Sequence, residues 1–362
     1  MNINDYANSM FRNEHLTDSW IEKCYDYVKF LFGDQLRGKV ILDYGFGRGN
    51  WSLALLRAGA KSVLAVDASE DNVFRFSEYC NKHKIDTIKI IRGNILEQPI
   101  DEKADFFWIY GILHHIDDIE LFMQRLKSMH RKPHAYYYLY LYDANSLRHF
   151  IVDSCRQLLV YSSEKNYLLS MPYYIDVARK RVRDDLVAPY IKWYETKDIL
   201  TLCERYSLSI LQQDKDFQHF LGNADSDEFA PYQFLVVNNE GLSNLEIVSS
   251  PVQTELVILK ELFSEVFKHY KYKTEQEKES LVIGLTNTYY CAQQQDVSKI
   301  YLKLFLYLIN IVLTYNIQLQ EQLGDYLTLT KKALTDDERL RVYQHLGSNK
   351  ITRFLVKNKI RL

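Results

Sequence analysis

No cysteine cluster, no long apolar run and no excess of one charge occur in this chain of 362 residues, and each absence removes a class of function. The five cysteines, Cys24, Cys80, Cys155, Cys203 and Cys291, are scattered. They form neither a C-x-x-C pair nor a Cys/His group, so neither a zinc site nor a disulfide framework is indicated and no metal is expected. The nearest approach to a spanning segment, residues 301–315, is broken by Lys303 and Asn310 and reads as a buried helix. The N-terminal residues include Asn, Asp, Arg and Glu where a signal peptide needs an apolar core. The expectation is therefore a soluble, cytoplasmic protein with no transmembrane segment. Forty-five Lys and Arg against 47 Asp and Glu leave a formal charge of −2, so nothing draws the chain to a polyanion and no nucleic-acid partner is expected. What is abundant is tyrosine: 28 copies, with 18 Phe, point to aromatic-lined packing or pockets. A hydrophobic content of 47% is ample for a core, and the length allows two domains or one elaborated domain.

The stretch Val40-Ile-Leu-Asp-Tyr-Gly-Phe-Gly-Arg-Gly-Asn50 organises the rest. A short apolar run suits a strand buried on both faces. Gly45, Gly47 and Gly49 follow, and a helical pattern begins at Trp51. Glycine permits positive φ and close approach of a ligand to the backbone, and the helix N-terminus adds free N–H groups. A dinucleotide fingerprint wants G-x-G-x-x-G, but here the third glycine comes one residue early. A second strand, 62–67, ends in Asp67, 18 residues after Gly49, close to where an acid grips ribose hydroxyls.

The pattern D-x-G-x-G-x-G, starting at Asp43, resembles the first motif of class I S-adenosylmethionine (SAM)-dependent methyltransferases. The segment Asp105-Phe-Phe-Trp-Ile-Tyr-Gly-Ile-Leu-His-His-Ile-Asp-Asp118 resembles a motif of methyltransferases related to the ubiquinone/menaquinone-biosynthesis enzymes. The resemblance covers residues 36–214. It implies an α/β, Rossmann-like, seven-stranded methyltransferase sheet, mostly parallel with the last strand antiparallel. Gly45, Gly47 and Gly49 would pass under the methionine and ribose portion of SAM, Asp43 would orient its amino end, and Asp67 would accept from both ribose hydroxyls. Ala68, Asn94 and Ile95 would frame adenine, and Tyr110 would line the methyl donor. Asn94 stands where the family usually has an acid; its amide oxygen still accepts a hydrogen bond but brings no charge. Alternatively, Asn94 only forms a turn. His114 and His115 would lie where substrate approaches, one of them able to take a proton; the other reading is that they shape the loop or cap the next helix. Tyr142, at the carboxyl end of its strand, completes the catalytic candidates.

Strands are expected near 40–44, 62–67, 88–92, 105–110, 135–142, 208–214 and 232–238, with helices near 50–58, 70–83, 118–130 and 196–206. Residues 1–38 are expected as an N-terminal helical lid, with Tyr6, Phe11 and Arg12 as its cofactor-facing candidates. Residues 39–242 form the methyltransferase domain. Within it, 143–195 is an inserted helical cap carrying substrate-holding candidates Asp185, Tyr190, Trp193 and Tyr194. Residues 243–362 change character to long amphipathic helices and form a C-terminal all-helical region. Its basic, apolar tail, 350–362, is either a docked terminal helix or a contact for an anionic membrane surface or acidic protein. The expected acceptor is a small molecule or conjugated metabolite, methylated on O, N or C. A macromolecular acceptor, a SAM-binding scaffold without turnover and a homodimer stay open.

Overall fold

The computed structural model describes residues 16–97, 99–132, 135–160, 185–186, 188–214, 232–238 and 254–270, with single positions or pairs between 273 and 312. The chain divides into two compact units. The first comprises Met1–Ala144, Val187–Asn223 and Tyr232–Ser249; the second comprises Asn145–Leu186, Ala224–Pro231 and Ser250–Leu362.

The first unit begins with α1 (Asp18–Phe32). Thr17 caps it by accepting the N–H of Trp20, and Gly33 at φ +52° ends it. Then follow β1 (Val40–Tyr44), α2 (Asn50–Arg57), β2 (Ser62–Asp67), α3 (Glu70–Lys82), β3 (Ile88–Arg92) and β4 (Phe106–Ile109). After β4 come a 3₁₀ turn at Leu113–His115, α4 (Ile119–Ser128) and β5 (Tyr136–Tyr142). In the second unit lies α5 (Leu147–Val160). The first unit resumes with α6 (Thr196–Arg205), β6 (Ser209–Asp214) and β7 (Tyr232–Asn238); α7 (Thr254–Tyr270) belongs to the second.

The strands form one seven-stranded sheet in the order β3-β2-β1-β4-β5-β7-β6. β1 to β5 are parallel to one another, and β7 runs antiparallel between β5 and β6. The order reverses direction between β1 and β4, so their carboxyl ends open a crevice where a ligand can sit.

Alternation along β1 sends Val40, Leu42 and Tyr44 to one face, where they join Phe107, Ile109, Leu139 and Leu141 under Phe122 and Leu126 of α4. The other face is aromatic. Trp108 and Tyr138 stack at 4.1 Å, Phe32 meets Phe106 edge-on at 5.2 Å, and the hydroxyls of Tyr27 and Tyr138 share a buried hydrogen bond of 2.9 Å. The expectation of a lid is corrected for the described part of 1–38. Cys24, Tyr27 and Val28 are fully buried, so α1 is a layer of the core rather than a flap. Tyr6, Phe11 and Arg12 lie outside the described residues.

In the second unit, α5 packs on α7, with Phe150 edge-on to Phe263 at 5.9 Å. Its polar centre is Asp185, whose carboxylate accepts from Arg148 Nε at 2.8 Å and lies 2.6 Å from Nη2. Arg156 donates to the Asp185 carbonyl at 2.8 Å. Asp185 has no exposed surface, so this residue, expected to hold substrate, is instead a structural ion partner. Asp185→Ala removes the carboxylate that Arg148 donates to and should destabilise the second unit by about 3–5 kcal/mol, whereas Arg148→Met with Asp185→Leu should restore most of the loss. Chemical denaturation of the three variants checks this; equal loss in the double variant contradicts it. Of the insertion expected over 143–195, residues 145–186 group with 250–362, while 143–144 and 187–195 belong to the first unit. The remaining helices expected in the insertion and in 243–362, and the tail, lie almost wholly outside the described residues.

Candidate functional site

The site is built where β1, β2, β4 and β5 end. Leaving β1, the backbone turns through Gly45 at φ +74°, Gly47 at φ +56° and Gly49 at φ +89°, the left-handed region that other residues avoid. The N–H of Gly45 donates to the carbonyl of Val66 at 2.7 Å, tying the turn to the end of β2. Asp67, buried, accepts the N–H of Gly47 at 2.9 Å on Oδ2 and that of Ser69 at 2.8 Å on Oδ1. The Asn72 amide donates to both oxygens at 3.4 Å. Burial pushes the Asp67 carboxyl above the usual range, opposed by the Ser69 and Gly47 N–H groups, the Asn72 amide and the Arg48 charge. Asp67 therefore holds the glycine turn closed.

Asp43 lies beneath the turn, 2% exposed, and accepts the Ser52 hydroxyl at 2.6 Å. Burial raises its pKa from 3.8 to about 7; the Ser52 bond opposes the rise and the Asp67 charge adds to it. The folded state thus binds a proton that the unfolded chain gives up near pH 4. Its contribution to stability is complete below pH 3.8 and is lost as pH rises through about 7. The displacement from 3.8 to about 7 corresponds to roughly 4 kcal/mol across that window. Asp43→Asn should therefore flatten the fall in stability between pH 4 and 7, as urea titrations at stepped pH will measure; an unchanged slope contradicts it.

Two glycines serve packing. A Cβ on Gly49 would stand 2.2 Å from the ring of Phe76, and one on Gly45 would stand 3.1 Å from Ile112. The space that a side chain on Gly49 would need is filled by the ring of a core phenylalanine. Asn50 opens α2, and its Oδ1 is buried with no hydrogen-bond partner among the described residues.

At the end of β3, Asn94 Oδ1 accepts the Leu96 N–H at 3.0 Å and the Tyr44 hydroxyl at 3.2 Å, while Tyr44 accepts the Ile95 N–H at 3.1 Å. Ile95, expected to frame a ring, is fully buried in the core, because Tyr44 draws its backbone inward. Ala68, at the end of β2, is half-exposed.

Beyond β4 and β5 the walls are aromatic. Tyr110, half-buried, packs on Trp51 at 4.9 Å and Tyr140 at 5.0 Å. His114 stacks on Tyr142 at 3.6 Å and 15°, and Trp193 lies 5.1 Å from Tyr142. His115 Nδ1 bonds the Tyr190 carbonyl at 3.0 Å. Tyr194, expected to hold substrate, is buried: its N–H donates to the Tyr142 carbonyl at 2.7 Å, making it a short extension of the sheet. The structure thus gathers Asp43, Gly45, Gly47 and Asp67 at one end of the crevice and Tyr110, His114, His115, Tyr142, Tyr190 and Trp193 at the strand ends of β4 and β5. It moves Asp185, Tyr194 and Ile95 out of contact roles. Ser52, Asn72, Tyr44 and Phe76 are the contributors that sequence reasoning missed. Their only sequence signal is polar or aromatic character on helix and strand positions facing the turn.

Among the described residues, no group of three or more His, Cys, Asp or Glu could hold a metal ion, and no helix is long and apolar enough to cross a membrane.

A family model described as a methyltransferase domain matches residues 41–132. The chain is 30% identical over 98 residues to a probable protein arginine N-methyltransferase 6.1 of Oryza sativa subsp. indica, covering 27% of this chain and 24% of that protein. It is 29% identical over 120 residues to protein arginine N-methyltransferase 6 of Danio rerio, covering 32% and 34%. Magnesium protoporphyrin IX methyltransferase of Synechocystis, solved with bound SAH, superposes with a TM-score of 0.42 at 14% identity, covering 66% of this chain and 98% of that one. The chain spans about a quarter to a third of the length of the curated relatives it matches.

Proposed function

We propose that this chain, whose residues 41–132 match a methyltransferase-domain model, is a class I SAM-dependent methyltransferase that binds SAM over the glycine turn and transfers its methyl group to an O, N or C atom of a small molecule or conjugated metabolite. Asp67 would hold the ribose, and Asp43 would sit under the cationic end. SAM supplies an already activated methyl group, so the protein's task is to position the acceptor and exclude water. The Oδ1 of Asn50 beside the turn, buried with no hydrogen-bond partner among the described residues, fits an arriving ligand donor, because a buried acceptor left unsatisfied costs about 1–3 kcal/mol.

The observation that carries the acceptor reading is the lining of the β4 and β5 ends. The partly exposed side chains there are Tyr110, His115, Tyr190 and Trp193, which suit a compact, partly apolar ligand. The similarity to protein arginine methyltransferases favours a second reading, a protein acceptor. A guanidinium stays charged and calls for carboxylates to hold it. Asp143, at the end of β5, is buried, which weighs toward the first reading. A cytoplasmic, soluble enzyme belongs to the same proposal.

The test is calorimetric binding of SAM, followed by transfer of labelled methyl to phenols, amines, sugar conjugates and arginine-rich peptides. Binding in the micromolar range with transfer to the first three classes is expected. Transfer to the peptides alone selects the second reading, and no SAM binding removes both. Because a bound cation stabilises the Asp43 carboxylate, SAM binding should release a proton below pH 7 and tighten as pH rises toward 7. Calorimetry in buffers of different ionisation enthalpy reads this, and an affinity flat across pH 5–8 contradicts the placement of Asp43.

A further inference from the structure

Arg48 stands between Gly47 and Gly49, both in the left-handed region, and its side chain turns inward, only 4% exposed. Its Nη1 donates to Asp71 Oδ2 at 3.2 Å, in the first turn of α3. Asp71 Oδ1 accepts Arg75 Nε at 2.8 Å, so this acid is clamped between two guanidinium groups. An arginine does not deprotonate in a protein, so its charge stays where the fold puts it. The fold puts it beside Asp67. The preceding residue, Gly47, donates its N–H to Asp67 Oδ2 at 2.9 Å, and Ser69, two residues before Asp71, donates its N–H to Oδ1 at 2.8 Å. The Arg48–Asp71 pair thus closes a loop of bonds that begins and ends on the Asp67 carboxylate.

Asp67 needs a counter-charge. It is buried, and burial by itself favours the neutral acid. The neutral acid is the wrong form here, because both oxygens face N–H donors and hydrogen bonds to an ionised acceptor are the stronger ones. The charged and titratable groups around it are few. From β1, Asp43 and Tyr44 interact with its charge, Asp43 as a like charge. From β3, Arg92 is its register partner, but that side chain is half-exposed and pairs with Glu70 of α3 at 3.3 Å. From α3, Asp71 is shared between Arg48 and Arg75. Water screens the exposed Arg92, whereas the buried Arg48 is screened much less, and its charge favours the ionised form of Asp67.

We propose that Arg48 is a positioning residue for the cofactor: Asp71 pins it behind the glycine turn, where it is the counter-charge that keeps Asp67 an acceptor for the ribose. This rests on the methyltransferase reading above. In the pattern D-x-G-x-G-x-G the position of Arg48 is open to any residue, so the arginine is a feature of this chain rather than of the motif. Arg48 touches no ligand in this scheme and acts through Asp67.

The test is the carboxyl ¹³C titration of Asp67 in the full chain labelled at aspartate, its signal assigned by loss in Asp67→Asn. Arg48→Gln keeps an amide donor for Asp71 but removes the charge, and Arg48→Lys keeps the charge. An opposite charge close by holds a carboxyl down by about 1–3 pH units, so the Asp67 midpoint should rise by about one unit or more in Arg48→Gln. In Arg48→Lys it should rise less than half as far. Calorimetry adds a functional readout. The loss of SAM affinity in Arg48→Gln, relative to the native chain, should be up to about tenfold greater at the native Asp67 midpoint than two pH units above it. An unchanged midpoint in Arg48→Gln, equal shifts in the two variants, or an affinity loss that is the same at both pH values overturns the proposal. Failure of Arg48→Gln to fold, with Arg48→Lys folded and its midpoint near native, supports it. Failure of both overturns it, because the site then needs the shape of the side chain rather than its charge. Absence of SAM binding to the native chain is a separate result, which removes the ribose role and this proposal with it, whatever the titration shows.

Discussion

Asp67→Ala should weaken SAM binding roughly 100- to 1,000-fold, the loss of about 3–4 kcal/mol expected when a carboxylate that accepts two ligand hydroxyls is removed. The carboxylate also receives the Gly47 and Ser69 N–H groups and the Asn72 amide, so the variant should lose some stability through the slackened glycine turn. The two effects separate with Asn72→Ala, which removes a long bond to the same carboxylate while leaving its charge and both backbone donors in place. That variant should lower stability slightly and change SAM affinity less than tenfold. Asp67→Asn keeps the shape but exchanges an acceptor for a donor that faces the Gly47 or Ser69 N–H, so it should behave nearly as badly as alanine. Calorimetry at fixed ionic strength measures all three. If Asp67→Ala binds SAM as the native chain does, the ribose does not lie at this acid, and the glycine turn is a purely structural connection between β1 and β2.

The placement of Asp67 was legible in the sequence because it depends on local pattern. A strand with an acid at its end, following a glycine turn by a fixed interval, needs no distant partner to be recognised. The same holds for β7: the connection from Asp214 to Pro231 is polar and carries no apolar helical stripe, and β7 pairs antiparallel with both β5 and β6. The failures all involve partners far apart in the chain. Asp185 looks like a substrate contact until Arg148, 37 residues earlier, closes on its carboxylate. Tyr194 looks like a pocket residue until its backbone lies down beside the end of β5 and buries it. Ile95 follows a polar turn and promises exposure, yet the hydroxyl of Tyr44, 51 residues away, takes its N–H and turns it to the core. The role of α1 was misread for a related reason. Its apolar stripe showed that one face is covered but not what covers it, and the partners are Phe106 and Tyr138 of the sheet.

Gly49 joins these two lessons, and its substitution should have the larger effect on folding. The residue caps α2 at φ +89° and ψ 8°, and the space of its missing Cβ holds the edge of Phe76, itself 1% exposed and packed on Phe46 at 5.1 Å. Gly49→Ala therefore meets two penalties. The left-handed backbone costs an L-residue about 1–2 kcal/mol, and overpacking a core ring costs about 1–3 kcal/mol. A total of about 2–5 kcal/mol is expected in denaturant unfolding of the first unit. Phe76→Leu alone should cost about 1–2 kcal/mol for lost contacts and an imperfect fit. Combined, the two should cost less than their sum by about 1–2 kcal/mol, because leucine vacates the space that the new methyl enters, while the backbone strain remains. Additive costs would show that Phe76 does not fill the glycine's space, and would return Gly49 to the ligand-facing role that the motif alone suggested. A coupled result with SAM affinity retained in the folded double variant would mean that this third glycine answers to the core, leaving Gly45 and Gly47 as the glycines of the turn that approach the cofactor.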